Sequence, residues 1–516
     1  MPARALTTAR LRRAFRRETV GVDVEAVLDL VGAVLKWLGL AFLFPAAIAL
    51  WYGESPWPFV VSAAVTSGFG WTLEQATAGK ERVAPREGFL VVALVWLAVP
   101  VFGALPYVLS GEAQLANAVN AYFESVSGFT ATGATILVDI ESLPRGLAMW
   151  RQFTQWLGGM GIVILAIAIL PRLRVGGRQL LQSELPGPTE TERLSTSIRE
   201  TARRLWFLYV GLTAALIALL WGYGVAGLDE EMTLFDAVAH AFTTVAIGGF
   251  SPRERSIEPF SPLTQWTIVV FIVVAGVNFL RLYRAIVQRE PRTIARDEEF
   301  RLYLLLLGLG SFALLVELLA NGRFAGEEAL RHAVFQAVSI MTTTGFATAD
   351  YTEWGALAAV TIVGLMFFGA SAGSTGGSVK VVRHLLIGRL LRRELDQTVH
   401  PEIVLPVRLN GHPVDERTLR AVLAFVLIYV GLFAIGALGL VLESFRVTGE
   451  VTPFEAIAAA AATLGNVGPA MGFAGPFGSY EPFSAVSKLI MCALMWMGRV
   501  EIIPVVVLFT KAYWRA

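Results

Sequence analysis

The stretch "TTTGF", Thr342 to Phe346, decides how this sequence is read. It closes an apolar run, "AVFQAVSIM", and the polar "ATADYTEW" follows. Three hydroxyls and a glycine stand where a bilayer-crossing helix would carry apolar side chains. Bare backbone at membrane depth survives only where protein buries it or water lines it. The stretch has relatives: "SGFTATGATIL" ends at Leu137, "FTTVAIGGFSP" at Pro252 and "LGNVGPAMG" at Gly472. The four align on Gly133, Gly248, Gly345 and Gly468.

The setting is a membrane. The chain has 516 residues, 55% hydrophobic and 16% charged, with mean hydropathy +0.61. A soluble chain would carry roughly a quarter charged residues. Uncharged stretches at Phe89–Ser110, Leu205–Leu228, Pro259–Leu280, Trp354–Val379 and Ala421–Leu442 each reach the ~20 residues that a spanning helix needs. The expectation is an all-α polytopic membrane protein in a lipid bilayer.

A net charge of +1 argues against a nucleic-acid partner. Basic residues gather in "ARLRRAFRRE", "GKERVAPRE", "RLRVGGR", "RLYRAIVQREPRTIAR" and "VVRHLLIGRLLRRE", whereas "SGEAQLANA", "GLDEEM" and "TADYTEW" are poor in them. "SPRERSIEP", with two arginines, is the exception. The positive-inside tendency puts the basic set, and both termini, in the cytoplasm. That requires an even number of spans. The N-terminal segment reads as a cytoplasmic tail, since no apolar signal core with a cleavage site follows it. The single Cys492 permits no intrachain disulfide, and no Cys/His pattern has zinc-ligand spacing.

The surroundings of the four glycines also repeat. Each is preceded by an apolar span and a short segment: "NAVNAYFESVS", "LFDAVAHAFTT", "LRHAVFQAVSI" or "TPFEAIAAAAA". Each is followed by a polar turn and a second span. The unit is span, half-length helix, exposed turn, span. Expected boundaries are 1–80 for the tail and two extra spans, 81–175 for the first unit and 176–202 for a cytoplasmic linker. The second, third and fourth units cover 203–297, 298–400 and 401–516.

Glycine takes backbone angles that a Cβ forbids, so consecutive carbonyls can turn the same way. Four such turns around one axis can replace the water shell of a monovalent cation, and the half-helices can direct their negative C-terminal ends to the same point. The expected filter is Thr130, Ala131, Thr132 and Gly133; Val245, Ala246, Ile247 and Gly248; Thr342, Thr343, Thr344 and Gly345; and Gly465, Asn466, Val467 and Gly468. One isolated "TTTG" would read as close helix packing; its fourfold recurrence points to a filter.

These units resemble those of the Trk/Ktr/HKT superfamily of potassium transporters, in which one chain carries four membrane–pore-loop–membrane units. The resemblance covers residues 87 to 516 and rests on "GFTATGAT", "TTVAIGGFS", "TTTGFAT" and "GNVGPA". Two further spans, at 36–53 and 56–77, are similar to the bacterial Trk branch and bring the expected total to ten. The resemblance implies a pseudo-fourfold pore, K+ as the transported ion with no organic cofactor, and a homodimer in the bacterial inner membrane. It also implies a separate cytosolic regulatory subunit of the nucleotide-binding RCK type. No loop reads TVGYG, and Ile247 and Val467 stand where a threonine would precede the glycine, so fewer carbonyl rings are expected.

"MFFGASAGSTGGSVKVVR", Met366 to Arg383, interrupts the second span of the third unit. Each glycine costs a continuous helix about 1 kcal/mol relative to alanine, and the break falls ~17 Å below the start of that span. Gly369, Ser371, Gly373, Ser374, Gly376, Gly377 and Lys380 form the expected gate, which the resemblance also implies. Lys380 reads equally as an interfacial anchor or an electrostatic latch. Arg499 lies about 22 Å into the last span and faces either the pore or, by snorkelling, the cytoplasmic interface. The family's "GR-x-E" pattern implies the pore. Glu124 and His240 read as packing or helix-orienting groups, and His384 and His400 as cytoplasmic surface residues.

Two other classes compete. "GASAG" matches a hydrolase nucleophile elbow around Ser371, but it lacks the strand-to-helix context that motif needs. A cation-coupled transporter of an organic solute would show inverted repeats and paired broken spans. Here the units share one orientation, and one span is conspicuously broken. No Walker A loop or dinucleotide fingerprint occurs.

Overall fold

The two N-terminal helices show how this chain uses small residues. Val24–Ala41 and Trp57–Thr77 cross where a Cβ on Gly70 would strike the backbone of Lys36 and Gly32. Ser67 bonds the Lys36 carbonyl at 3.2 Å, and Lys36 pairs with Glu74. Close backbone approach through Gly and Ser is how membrane helices gain packing energy without a hydrophobic driving force. The computed structural model describes residues 22–77, 85–161, 198–447 and 451–515. The basic tail before residue 22, "RLRVGGR" and most of the expected 176–202 linker lie outside the described residues.

The remaining elements follow the expected order. Pro85–Gly103, Ala118–Phe129 and Arg145–Gly159 come first. Ile198–Val225, Leu234–Ala246 and Pro262–Ala275 follow. Then come Glu298–Ala320, Gly326–Met341 and Ala356–Leu365, and finally Glu416–Val447, Pro453–Leu464 and Ala485–Arg499. The second helix of each trio has 12 to 16 residues, too few to cross a hydrocarbon core. Its C-terminal half is sheathed by protein, with Phe123–Phe129, Ala239–Ala246, Phe335–Met341 and Ala458–Leu464 all buried.

Among the described residues five helices have the length and apolarity to cross a bilayer, or six if Pro262–Ala275 and Phe279–Ile286 are one bent span. The expectation of ten spans exceeds five by five: Trp57–Thr77 has the length but not the apolarity, and the third helix of each trio falls short as a single straight helix. Arg145–Gly159 and Ala485–Arg499 stop at 15 residues and Ala356–Leu365 at 10. Pro262–Ala275 turns through 109° before Phe279. The expectation of a single broken span was therefore too few. The second unit breaks at Gly276–Asn278, and the fourth at Val500–Ile502, where Glu501 and Ile502 take φ of 62° and 57°.

One departure from an all-helical chain is a hairpin, Arg408–Leu409 with His412–Pro413. Asn410-Gly411, both at positive φ, makes the two-residue turn that "NG" favours.

Candidate functional site

The half-length helices start with defined caps. Asn117, Thr233 and Thr452 each accept a backbone N–H in the first turn, and Thr452 completes a reciprocal capping box with Glu455. The third helix carries Glu327 and Glu328 in its first turn, where carboxylates favour the positive helix end.

All four helices end in the same way. A residue in the left-handed region follows the last turn: Ala131 (φ 51°), Ile247 (φ 55°), Thr343 (φ 69°) and Asn466 (φ 54°). The next residue donates its N–H five residues back: Thr132 to Ser127, Gly248 to Thr243, Thr344 to Ser339 and Val467 to Ala462, at 2.8–2.9 Å. Then comes a glycine with φ between 79° and 101°: Gly133, Gly249, Gly345 and Gly468. Left-handed backbone at non-glycine residues is strained, most of all for the β-branched Ile247 and Thr343.

This repeat corrects the sequence alignment in one place. The second-turn counterpart of Gly133, Gly345 and Gly468 is Gly249, and Gly248 matches Thr132, Thr344 and Val467. Val245 accordingly lies within its helix, one position before the counterparts of Thr130, Thr342 and Gly465.

With that register the turns form a closed ring. A Cβ on Gly133 would strike the Gly248 carbonyl oxygen, one on Gly249 that of Thr344, one on Gly345 that of Val467, and one on Gly468 that of Thr132. Each such approach is 2.5 Å or less. Each glycine thus faces the carbonyl that precedes the glycine of the next turn, and the fourth returns to the first. A side chain at any of them would push the ring apart.

Outside the ring, segments after three of the turns brace the next. Ile257 donates to the Ala347 carbonyl at 3.0 Å and Tyr351 to that of Ala470 at 2.9 Å. Tyr480 donates its N–H to Thr135 and its hydroxyl to the Gly468 carbonyl, at 2.8 and 2.7 Å. Behind the first turn Glu124 and Arg151, both fully buried, pair at 2.7 Å, and Glu124 also accepts from Ile136 N–H. Glu124 therefore orients backbone. His240 sits between the Asp236 carbonyl and Ser251.

Sequence reasoning missed a side chain that holds the second turn. Gln155 donates to the Gly248 carbonyl at 2.6 Å and accepts from Phe250 N–H at 3.0 Å. Nothing in its local pattern distinguishes it from any buried polar residue on a helix.

On one side of the ring lies a cavity of about 90 Å³ that reaches Gly133, Gly249, Gly345 and the loop residues Arg253 and Glu254. Burial raises the Glu254 carboxyl, and the neighbouring Asp139 and Glu141 push the same way. On the other side a cavity of about 50 Å³ meets the glycine-rich segment, Arg499 and Glu501. There the helix ending at Leu365 gives way to irregular chain until Val381.

The irregular segment presses against the turns themselves. Thr375 donates to the Val245 carbonyl at 3.1 Å, and Gly377 N–H to the Thr343 hydroxyl at 2.7 Å. A Cβ on Gly376 would lie 2.7 Å from the Thr342 oxygen, and one on Gly377 2.5 Å from that of Gly465. Lys380, 3% exposed, folds back onto the Gly376 carbonyl. Gly369 pairs with Val379 across the segment, and Ser371 N–H bonds Gly276 at the break in the second unit. Ser374 bonds Ser371, and Phe279 N–H bonds Gly373. Glu299 accepts from the middle of the segment, Ala372 N–H at 2.6 Å, and from the helix that follows it, Val382 N–H at 3.2 Å.

Arg499 donates to the Thr375 carbonyl at 2.7 Å and to those of Gly158 and Gly159 at 2.7 and 3.2 Å. The guanidinium thus ties the segment to the first unit. Among the described residues no three His, Cys, Asp or Glu side chains gather as a metal site. The oxygens that do gather are backbone carbonyls and hydroxyls.

Comparison with known proteins adds four findings. The family model described as "TrkH: Cation transport protein" matches residues 59–515. The Trk system potassium uptake protein TrkH of Salmonella typhimurium is 38% identical over 499 residues, 95% of this chain and 99% of that protein. The protein of the same name from Halomonas elongata is also 38% identical, over 96% of this chain and 100% of its own. The crystal structure of the potassium transporter TrkH from Vibrio parahaemolyticus superposes with TM-score 0.84 at 32% identity, covering 96% of this chain and all of that one.

Proposed function

Because this chain belongs to the TrkH family of cation transport proteins, we propose that it takes up potassium through the ring of four turns. The observation that carries this reading is the ring's closure, each glycine against the next turn's carbonyl. An ion arriving from the Glu254 side exchanges water for peptide oxygens and threonine hydroxyls. It then meets the segment Met366–Lys380, which acts as the gate. The membrane potential drives the cation inward, supplying about 2.3 kcal/mol per elementary charge per 100 mV.

In this reading the chain has ten spans, two N-terminal and eight in four pseudo-repeats around a pseudo-fourfold pore, in the bacterial inner membrane with both termini cytoplasmic. Trp57–Thr77 and the short or bent third helix of each unit supply the five spans that length and apolarity together do not reveal. Loops one and three carry hydroxyl pairs, Thr130 with Thr132 at 2.7 Å and Thr342 with Thr344 at 2.8 Å, and loops two and four do not. Potassium is held at fewer levels than four matched loops would give. The contacts of Thr375, Gly376 and Gly377 with three turns support the gate, as does the reach of Arg499 to Thr375. A homodimer and a cytosolic RCK-type subunit complete the assembly, on the strength of family resemblance.

The test is uptake of isotopic Rb+ by purified protein in proteoliposomes under a potassium diffusion potential. The expected result is Rb+ uptake that needs neither organic solute nor a proton gradient. Uptake that appears only with a co-substrate would sink the reading.

A further inference from the structure

The four turns differ in how they are supported. Loops one and three brace themselves with a Thr–x–Thr hydroxyl pair. Loop four has Asn466, whose amide reaches the Thr132 hydroxyl and the Met495 carbonyl, both at 2.9 Å. In loop two, Ala246-Ile247-Gly248-Gly249, no side chain carries a polar atom. That loop nevertheless holds Ile247 at φ 55° and Gly249 at φ 79°. Its support has to come from elsewhere in the chain.

It comes from Gln155, fully buried on the helix Arg145–Gly159 of the first unit. One amide bonds both sides of Gly249, donating to the Gly248 carbonyl and accepting from Phe250 N–H. The donor is aimed at the oxygen that loop two contributes to the ring, the one facing Gly133. The side chain also occupies the space of a missing one. A Cβ on Gly248 would lie 2.5 Å from Gln155 Oε1 and 3.0 Å from its Cβ, whereas Thr132, Thr344 and Val467 fill the matching position in the other loops. Gly248 and Gln155 are a matched pair, the glycine leaving the room that the glutamine fills.

We propose that Gln155 is a specificity-determining positioning residue, fixing the Gly248 carbonyl so that loop two contributes an oxygen at the spacing potassium needs. The inference rests on the potassium-pore reading above. A carbonyl released from a buried donor is free to follow a smaller ion, so losing this bond relaxes discrimination against sodium.

The test is the K+/Na+ permeability ratio from reversal potentials in proteoliposomes, measured first on the unmodified protein. A ratio of one there would sink the potassium reading itself and leave the role of Gln155 a separate matter. Gln155→Met keeps the length of the side chain but removes the donor to the Gly248 carbonyl together with the acceptor for Phe250 N–H. The ratio is expected to fall roughly tenfold, the scale of one buried hydrogen bond with its partner left unsatisfied. Gln155→Ala is expected to lose at least as much. The double variant Gln155→Ala with Gly248→Thr refills the space and gives loop two a hydroxyl, and is expected to recover part of the loss. A residue that merely holds the fold together would lower both ion fluxes in step. An unchanged ratio in Gln155→Met therefore overturns the proposal, whatever happens to total flux. Should that variant fail to give monodisperse protein, an unchanged ratio in Gln155→Ala overturns it equally, as does failure of both to fold.

Discussion

Replacing Gly345 by alanine strikes the ring directly. Its φ of 83° costs a side-chain-bearing residue about 1–3 kcal/mol. Relaxing the backbone would not remove the larger problem. The new methyl would lie 2.8 Å from Pro469 Cδ and closer still to the Val467 carbonyl oxygen, where an unstrained contact needs about 3.5 Å. Loop four must retreat by about 1 Å, carrying the Val467 oxygen with it. Misplacement of about 1 Å at a reacting group costs on the order of a hundredfold in rate. An ion filter built on equally close positioning is expected to lose roughly tenfold or more in K+/Na+ ratio. The assay is the reversal potential in mixed potassium and sodium, with Gly364→Ala as internal control. Gly364 lies in the helix Ala356–Leu365 with open space around its would-be Cβ, so that substitution should leave the ratio unchanged and favour the helix by about 1 kcal/mol. A Gly345→Ala protein that keeps its selectivity would refute the argument that these contacts set it.

Two further outcomes follow. Arg499→Ala removes the bonds to Thr375, Gly158 and Gly159 together with a positive charge beside the path, so Rb+ uptake should rise severalfold. Unchanged or lower uptake at normal expression would count against the gate. Glu254 titrates above the ordinary glutamate range, so external acidification discharges it before fully solvated carboxylates. Uptake at subsaturating potassium should therefore fall as the outer solution is acidified towards the carboxylate range, most clearly at low ionic strength, where steering is strongest. Glu254→Gln should flatten that profile; a profile of unaltered shape removes Glu254 from the account.

The turns were legible because glycine and threonine in an apolar run have few structural uses, and four occurrences share one context. The register of the second was misread because two glycines stand side by side there. The signal was present: Gly249-Phe250 matches Gly345-Phe346, and aligning on the phenylalanine gives the observed geometry. The break at Met366–Lys380 was visible in its glycines and serines. The bends at Gly276–Asn278 and Val500–Ile502 were not, because a helix interrupted over three residues keeps the hydropathy of a continuous one. Gln155 and Glu299 escaped for another reason. Their roles depend on residues 93 and 73 positions away, and no local pattern encodes that pairing.

The central claim is that the ring around Gly133, Gly249, Gly345 and Gly468 holds a dehydrated alkali cation. Anomalous diffraction from crystals grown in Tl+ or Rb+ tests it most directly. The account predicts a peak on the ring's axis, in contact with the carbonyls of Thr132, Gly248, Thr344 and Val467, that weakens when Na+ replaces the heavier ion. Heavy-ion peaks found only elsewhere, with none within the ring, would contradict it.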